Sequence, residues 1–256
     1  MDMAHRLEFR VLGPLDVTSQ SGPVRIPAGK QRVLLSALLL APNTVVSLEE
    51  LVGLLWDDVR PDSPRAALHT CLTRLRATLD SRGAGPSGLI RTTAAGYLIE
   101  VGPEELDLLR FRAHSGAAHA AAKRGDQAAE RMALDRAVEL WRGPMLPDVR
   151  SASLHRDVVP RITEEWLRVR ERRHEISMAG GCYDELVGEL RELVRRYPFH
   201  ERFWYQLIVC LCRCGRRVEA LEAFGEISGR LREEMGMDPG RQLRDLHLSI
   251  LRGEPD

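Results

Sequence analysis

The apolar residues of this chain keep two different periods, and the order in which those periods alternate leaves few folds open. At the start they alternate one by one: Leu7, Phe9 and Val11, a Gly13-Pro14 turn, Leu15 and Val17, a Ser19 to Gly22 turn, then Val24 and Ile26. Alternation over runs this short describes strands with one dry face, here a small antiparallel sheet. From Lys30 to Leu40 the period becomes helical, with Leu34, Leu35, Leu38 and Leu39 clustered on one side. Asn43 to Val46 reads as a loop. Ser47 with Glu50 three residues later has capping-box spacing and opens a short helix carrying Leu51, Leu54 and Leu55. A polar loop, Trp56 to Asp62, leads to a third helix with Ser63 at the N-cap and Pro64 in the first position. After a Gly- and Ser-rich stretch, Ser81 to Gly88, two short strands follow, Leu89 to Thr92 and Tyr97 to Val101, joined by Thr93 to Gly96. Sheet, three helices, hairpin is the order of a winged helix-turn-helix. In such a domain the third helix enters the major groove and the hairpin lies along the neighbouring backbone or minor groove.

The third helix carries the functional signal. Leu68, Leu72, Leu75 and Leu79 form a single apolar stripe at i, i+4, i+7 and i+11. His69, Thr70, Thr73, Arg74 and Arg76 lie off that stripe, and no carboxylate falls between Ser63 and Leu79. A solvated helix face ordinarily mixes both signs. Arginine is bidentate to guanine, and threonine meets a phosphate or a thymine methyl. The formal net charge of the whole chain is zero, but from Arg60 to Arg91 six basic residues face two acids, Asp62 and Asp80. The local excess, not the global sum, governs the approach of a polyanion.

From Leu106 onward no strand pattern is found. The segment is rich in Ala, Leu, Arg and Glu, with turn signals at Gly125-Asp126, Arg142-Gly143-Pro144, Gly180-Gly181, Tyr197-Pro198, Gly215 and Asp238-Pro239-Gly240. Gly181, Leu186, Val187, Leu190 and Leu193 recur 34 residues later as Gly215, Ala220, Leu221, Phe224 and Ile227. That is the period of tetratricopeptide helix pairs, and Gly125-Asp126 marks a divergent earlier unit. The aromatic residues here, Trp141, Trp166, Trp204 and Phe224, are read as core. The expected fold is therefore mainly α with a small β part: a winged helix-turn-helix over residues 1–102, then an all-α tetratricopeptide-like domain over 103–256.

Other classes find no support. Cys210, Cys212 and Cys214 alternate, which is not the spacing of a zinc knuckle, and residues two apart on a helix do not share a face. With Cys71 and Cys182 they make an odd number of thiols and, with no signal peptide, suit a reducing cytoplasm. The longest apolar run, Val33 to Ala41, is too short for a membrane span. Gly22 to Lys30 resembles a phosphate loop only loosely, with six residues between its glycines and Gln31 after the lysine. No nucleophile motif, metal set or cofactor signature is present, so a non-enzyme is expected.

The ordered set of motifs resembles the Streptomyces antibiotic regulatory protein family. Phe9 to Leu15 is similar to its opening strand, Gln31-Arg32 with the Leu-rich run to its first helix, and Val45-Val46-Ser47 through Leu55-Trp56 to its second. Leu68-His69-Thr70 with Thr73-Arg74-Leu75-Arg76 is similar to the recognition helix, and Gly96-Tyr97 to the wing. Glu104 to Leu108 with Phe111, Leu140 to Pro144, and Gly236 to Gly240 with Leu243 to His247 are similar to the family's bacterial transcriptional activation domain. The resemblance implies that Thr70 and Arg74 face bases, that Arg76 lies at base edges or phosphate, and that Arg65 and Arg32 touch the DNA backbone. It narrows the base contacts to Thr70, Arg74 and Arg76 and makes His69 secondary. The wing departs from the usual Arg-Pro-Pro-Gly-Tyr: Arg91 stands two residues further from Gly96-Tyr97, which brings in Thr92 and Thr93 as wing contacts. The resemblance also implies a stand-alone activator of a specialised-metabolite gene cluster, bound as a dimer or as side-by-side protomers to direct repeats in double-stranded DNA. RNA polymerase holoenzyme would be recruited through the loop that carries Asp57 and Asp58. No ATPase module or receiver domain is expected. The alternatives are a repressor, or a regulator whose helical domain senses a ligand or a partner.

Overall fold

In the computed structural model, which describes residues 7–57, 59–80 and 88–253, the expected elements form in the expected order. Strands β1 (Glu8–Arg10), β2 (Asp16–Ser19) and β3 (Gly22–Pro23) make an antiparallel sheet in that order, with Phe9 opposite Val17. The third strand is shorter than the alternation to Ile26 suggests, although the Val24 amide still donates to the Val17 carbonyl at 2.8 Å. Helix α1 (Lys30–Leu40) follows, then α2 (Leu48–Trp56) and α3 (Pro64–Leu79), then the hairpin of β4 (Ile90–Thr92) and β5 (Tyr97–Ile99). The Ser47 hydroxyl caps α2 by accepting from the Glu50 amide. Ser63, by contrast, makes no side-chain cap, and the Pro64 ring sets the start of α3 instead.

Helix α1 departs from the one-sided pattern. Every residue from Val33 to Leu40 is buried, Ser36 included. A helix that is apolar all round belongs in the middle of a core. Helices α2 and α3 cover part of it, and strand β5 and the turn Leu154–Val158 pack against it as well.

Helices α4 (Asp107–Lys123) and α5 (Gln127–Glu139) form an antiparallel pair, and a π-helical turn, Leu154–Val158, leads into α6 (Val159–Ala179). The chain falls into two compact units, Met1–Leu167 and Arg168–Asp256. The first unit therefore runs through the expected boundary at 102/103. The reason is a set of long-range bonds. The Asp107 carboxylate, 1% exposed, accepts from the Val11 amide at 2.9 Å and the Leu12 amide at 3.0 Å. The Arg142 amide donates to the Leu12 carbonyl and the Leu146 amide to that of Gly13, at 2.8 and 2.7 Å. The buried Ser151 hydroxyl donates to the Leu54 carbonyl at 2.6 Å. Backbone groups left bare at the sheet edge and at the end of α2 are satisfied from residues some hundred positions away.

The second unit stacks α7 (Tyr183–Arg196), α8 (Glu201–Arg213), α9 (Arg217–Met235) and α10 (Arg241–Arg252), each on its predecessor. Gly125, Gly181 and Gly215 stand at left-handed φ of 71°, 82° and 74°. In each case the next amide reaches back five residues: Asp126 to Ala121, Cys182 to Ser177, Arg216 to Leu211. The same glycine-terminated helix end therefore occurs three times, which is the structural content of the repeat. Between α6, α7 and α8, the fully buried His174 bonds Glu189 at 2.7 Å and Gln206 at 3.0 Å. Burial raises the Glu189 carboxyl, but the His174 bond with Arg170 and Arg173 overcomes this and holds it down at about 2. Cys210 is fully buried, its thiol pushed up to about 12 by that burial; Cys212 and Cys214 are half-buried and unpaired.

Candidate nucleic-acid interface

Helix α3 separates into two faces. Leu68, Leu72, Leu75 and Leu79 are buried, as their spacing predicts. Arg65, Ala66, His69, Thr70, Thr73, Arg74 and Ala77 are exposed and share the opposite face. They recur at 3–4 residues, so they line one continuous strip about three turns long. No carboxylate lies on it. Neither Arg65 nor Arg74 forms an ion pair among the described residues, so both guanidinium groups stand free toward solvent. Uncompensated arginines on a convex helix are the electrostatic footprint of a polyanion partner.

The hydroxyls on this strip have a defined orientation. Thr70 Oγ1 donates to the Ala66 carbonyl and Thr73 Oγ1 to that of His69, both at 3.0 Å. Each donor is used inside the helix. What remains for a partner is a methyl group and acceptor lone pairs, suited to a thymine methyl or a base amino group. Ala66 and Ala77 were not singled out by the residue pattern, yet they keep the strip shallow at both ends. Their signal was the absence of bulk at spacing 66, 70, 73 and 77.

Four expected contacts are placed differently. Arg76 turns away from the strip: its Nε and Nη2 donate to the Ile90 carbonyl at 3.2 and 2.8 Å, and Nη2 also donates to Thr92 Oγ1 at 2.9 Å. It ties the helix to the first strand of the hairpin, and it engages the Thr92 hydroxyl as it does so. Arg32 is held by the Asp148 carboxylate and the Leu15 carbonyl, so its charge is neutralised within the fold. Thr93 shapes the hairpin turn; its hydroxyl accepts from the Gly96 amide at 3.1 Å. Arg91 is exposed and paired with Glu100 at 2.6 Å, a surface ion pair that a phosphate can replace.

The hairpin is held where β5 meets the loop before α2. The amides of Val46 and Tyr97 exchange bonds with each other's carbonyls at 2.8 and 2.9 Å. Gly96 stands at φ +154°, and a Cβ there would lie 2.1 Å from the Val46 carbonyl oxygen. Only glycine lets the two backbones approach this closely.

Asp57 ends α2 at a left-handed φ of 46°. Its carboxylate accepts from the Ala152 amide at 3.2 Å and the Ser153 amide at 2.8 Å. The Ser153 amide, more than burial opposes it, holds this carboxyl below the usual range. Asp57 is therefore an internal anchor of the α2–α3 loop. Asp58 lies outside the described residues. Beyond it Val59 is 82% exposed, and Arg60 and Asp62 are exposed too.

Comparison with known proteins agrees with this reading of the fold. Residues 26–99 match the family described as transcriptional regulatory protein, C terminal, and residues 106–251 match the bacterial transcriptional activator domain. The regulatory protein DnrI of Streptomyces peucetius is 33% identical over 254 residues, which cover 97% of this chain and 93% of that one. The transcriptional regulatory protein EmbR of Mycobacterium tuberculosis is 32% identical over 252 residues, 98% of this chain but 64% of its own length. This chain thus spans slightly less than two thirds of EmbR. The solved structure of Mycobacterium tuberculosis EmbR in complex with a low affinity phosphopeptide superposes with a TM-score of 0.86 at 31% identity, covering 98% of this chain and 66% of that one. Among the described residues no helix is long and apolar enough to cross a membrane.

Proposed function

The chain belongs to the Streptomyces antibiotic regulatory protein family of transcriptional activators, and from that premise we propose that it reads promoter DNA through the exposed face of α3. One observation carries the reading: a strip of arginines, threonines and a histidine with no carboxylate and, among the described residues, no partner for its guanidinium groups. Arg74, His69, Thr70 and Thr73 sit centrally and meet base edges; Arg65, near the helix start, meets phosphate. His69 regains the place that the resemblance took from it, because it lies in the middle of the open strip. Arg76, Arg32 and Thr93 leave the set of direct contacts. Arg91 and Thr92 follow the neighbouring backbone from the hairpin.

The bound form is a side-by-side pair of protomers on direct repeats upstream of a specialised-metabolite gene cluster. RNA polymerase holoenzyme is then engaged by the α2–α3 loop, with Asp58, Val59, Arg60 and Asp62 as its contact and Asp57 as its anchor. No catalytic step or cofactor is assigned. The test is mobility-shift titration of promoter DNA at fixed salt. Arg65→Ala and Arg74→Ala each weaken binding while the melting temperature stays unchanged. Full affinity in both variants would place the DNA surface elsewhere.

A further inference from the structure

The 34-residue repeat pairs Phe224 with Leu190, and the pairing predicts two core residues. Leu190 is fully buried, whereas Phe224 is only half-buried. Its ring forms a wall of an open cavity of about 640 Å3 between α9 and α10. His247 of α10 stacks on that ring, 3.9 Å away with 6° between the planes. The volume is in the range of small-molecule sites.

Two glycines form part of its floor. Gly225 and Gly229 lie inside α9, where glycine is the poorest helix former apart from proline. A Cβ at either position would have nothing within 4 Å. No close packing among the described residues requires them, and what they leave is open space one helical turn long. Ser228 lines the same cavity, and its hydroxyl, with no hydrogen-bond partner among the described residues, is open to that space. The Arg244 guanidinium also borders the cavity without an ion pair among the described residues, while the acid there, Asp238, is neutralised by Arg232 at 2.8 Å.

We propose that this cavity binds a small anionic molecule with a flat apolar body. The anion meets Arg244, with Ser228 donating to it, and the flat body lies over Gly225 and Gly229 against the Phe224–His247 stack. The site lies wholly within the second unit, so its occupancy is independent of DNA reading by α3.

The full chain is titrated with 2-naphthoate by calorimetry, and its mass is followed by sedimentation. Saturable binding at one site is expected. Gly225→Leu and Gly229→Leu fill the floor; binding weakens by about tenfold or more while the melting temperature holds or rises, since leucine favours the helix. Arg244→Gln weakens binding at least about fivefold, and Val218→Ala, outside the cavity, leaves it unchanged. Absence of saturable binding, or equal binding in the filled and unfilled variants, overturns the proposal. So does a concentration-dependent dimer that the leucine variants abolish, for then the groove belongs to a second copy.

Discussion

Arg74 and Arg76 stand two residues apart on one helix, and the structure assigns them different work. Arg76→Ala removes two bonds to the Ile90 carbonyl and one to Thr92 Oγ1. Hydrogen bonds from a charged donor contribute about 1.5–3 kcal/mol, and partial exposure of this guanidinium places the set near the lower end, about 1.5 kcal/mol. For a chain of this size that is a fall in melting temperature of about 3–6 °C. Arg74→Ala removes an exposed side chain with no side-chain bond among the described residues, so stability changes by less than about 0.5 kcal/mol. On DNA the order reverses. Loss of the base contact at Arg74 weakens binding to the promoter repeat by about 1–3 kcal/mol and lowers the preference for it over unrelated DNA. Arg76→Ala weakens binding less, through a loosened hairpin, and leaves that preference unaltered. Mobility-shift titrations against promoter and unrelated DNA at fixed salt, beside calorimetric melts, separate the two. A normal melt for Arg76→Ala together with a preference reduced as in Arg74→Ala would refute the assignment of Arg76 to the fold.

Other outcomes follow from single sites. Gly96→Ala sets a Cβ 2.1 Å from the Val46 carbonyl oxygen and breaks the paired bonds between Val46 and Tyr97; a loss of about 3 kcal/mol or more is expected in urea unfolding. Asp57→Ala leaves the Ala152 and Ser153 amides without their acceptor and lowers stability by about 1–2 kcal/mol, whereas Asp58→Ala reduces transcription in vitro at unchanged stability and DNA affinity. The Glu189 carboxyl is lowered from 4.5 to about 2, so its contribution is complete above pH 4.5 and is lost as pH falls toward 2. The full shift corresponds to about 3 kcal/mol, and 27% exposure of the side chain reduces this to about 2 kcal/mol. The urea midpoint of the wild type therefore drops between pH 5 and 3 more than that of Glu189→Gln, and parallel curves would argue against a native-state ion pair.

Much of the local structure was legible because its causes are local. The bounds of α1 and α3, the Ser47 cap and the glycine ends of the repeat depend on residues within about five positions of one another. The strip on α3 was legible for the same reason: periodicity alone separates it from the leucine stripe. Two readings failed, one locally and one at long range. Ser63 leaves the capping role unfilled, and α1 is buried on every side because residues beyond 103 help to cover it.

From the sequence alone, then, came the winged helix, the helical repeat, the face that α3 presents, and the charge that face carries. Tertiary structure alone decided which arginines remain free to use it. Arg74 and Arg76 have the same reach and the same chemistry. Only the fold brings the Ile90 carbonyl beside Arg76 and the Asp148 carboxylate, 116 residues distant, beside Arg32, while it leaves Arg65 and Arg74 facing solvent. A helix is selected by neighbours a turn away; the partner of a long charged side chain is selected by whatever the completed fold sets within its reach.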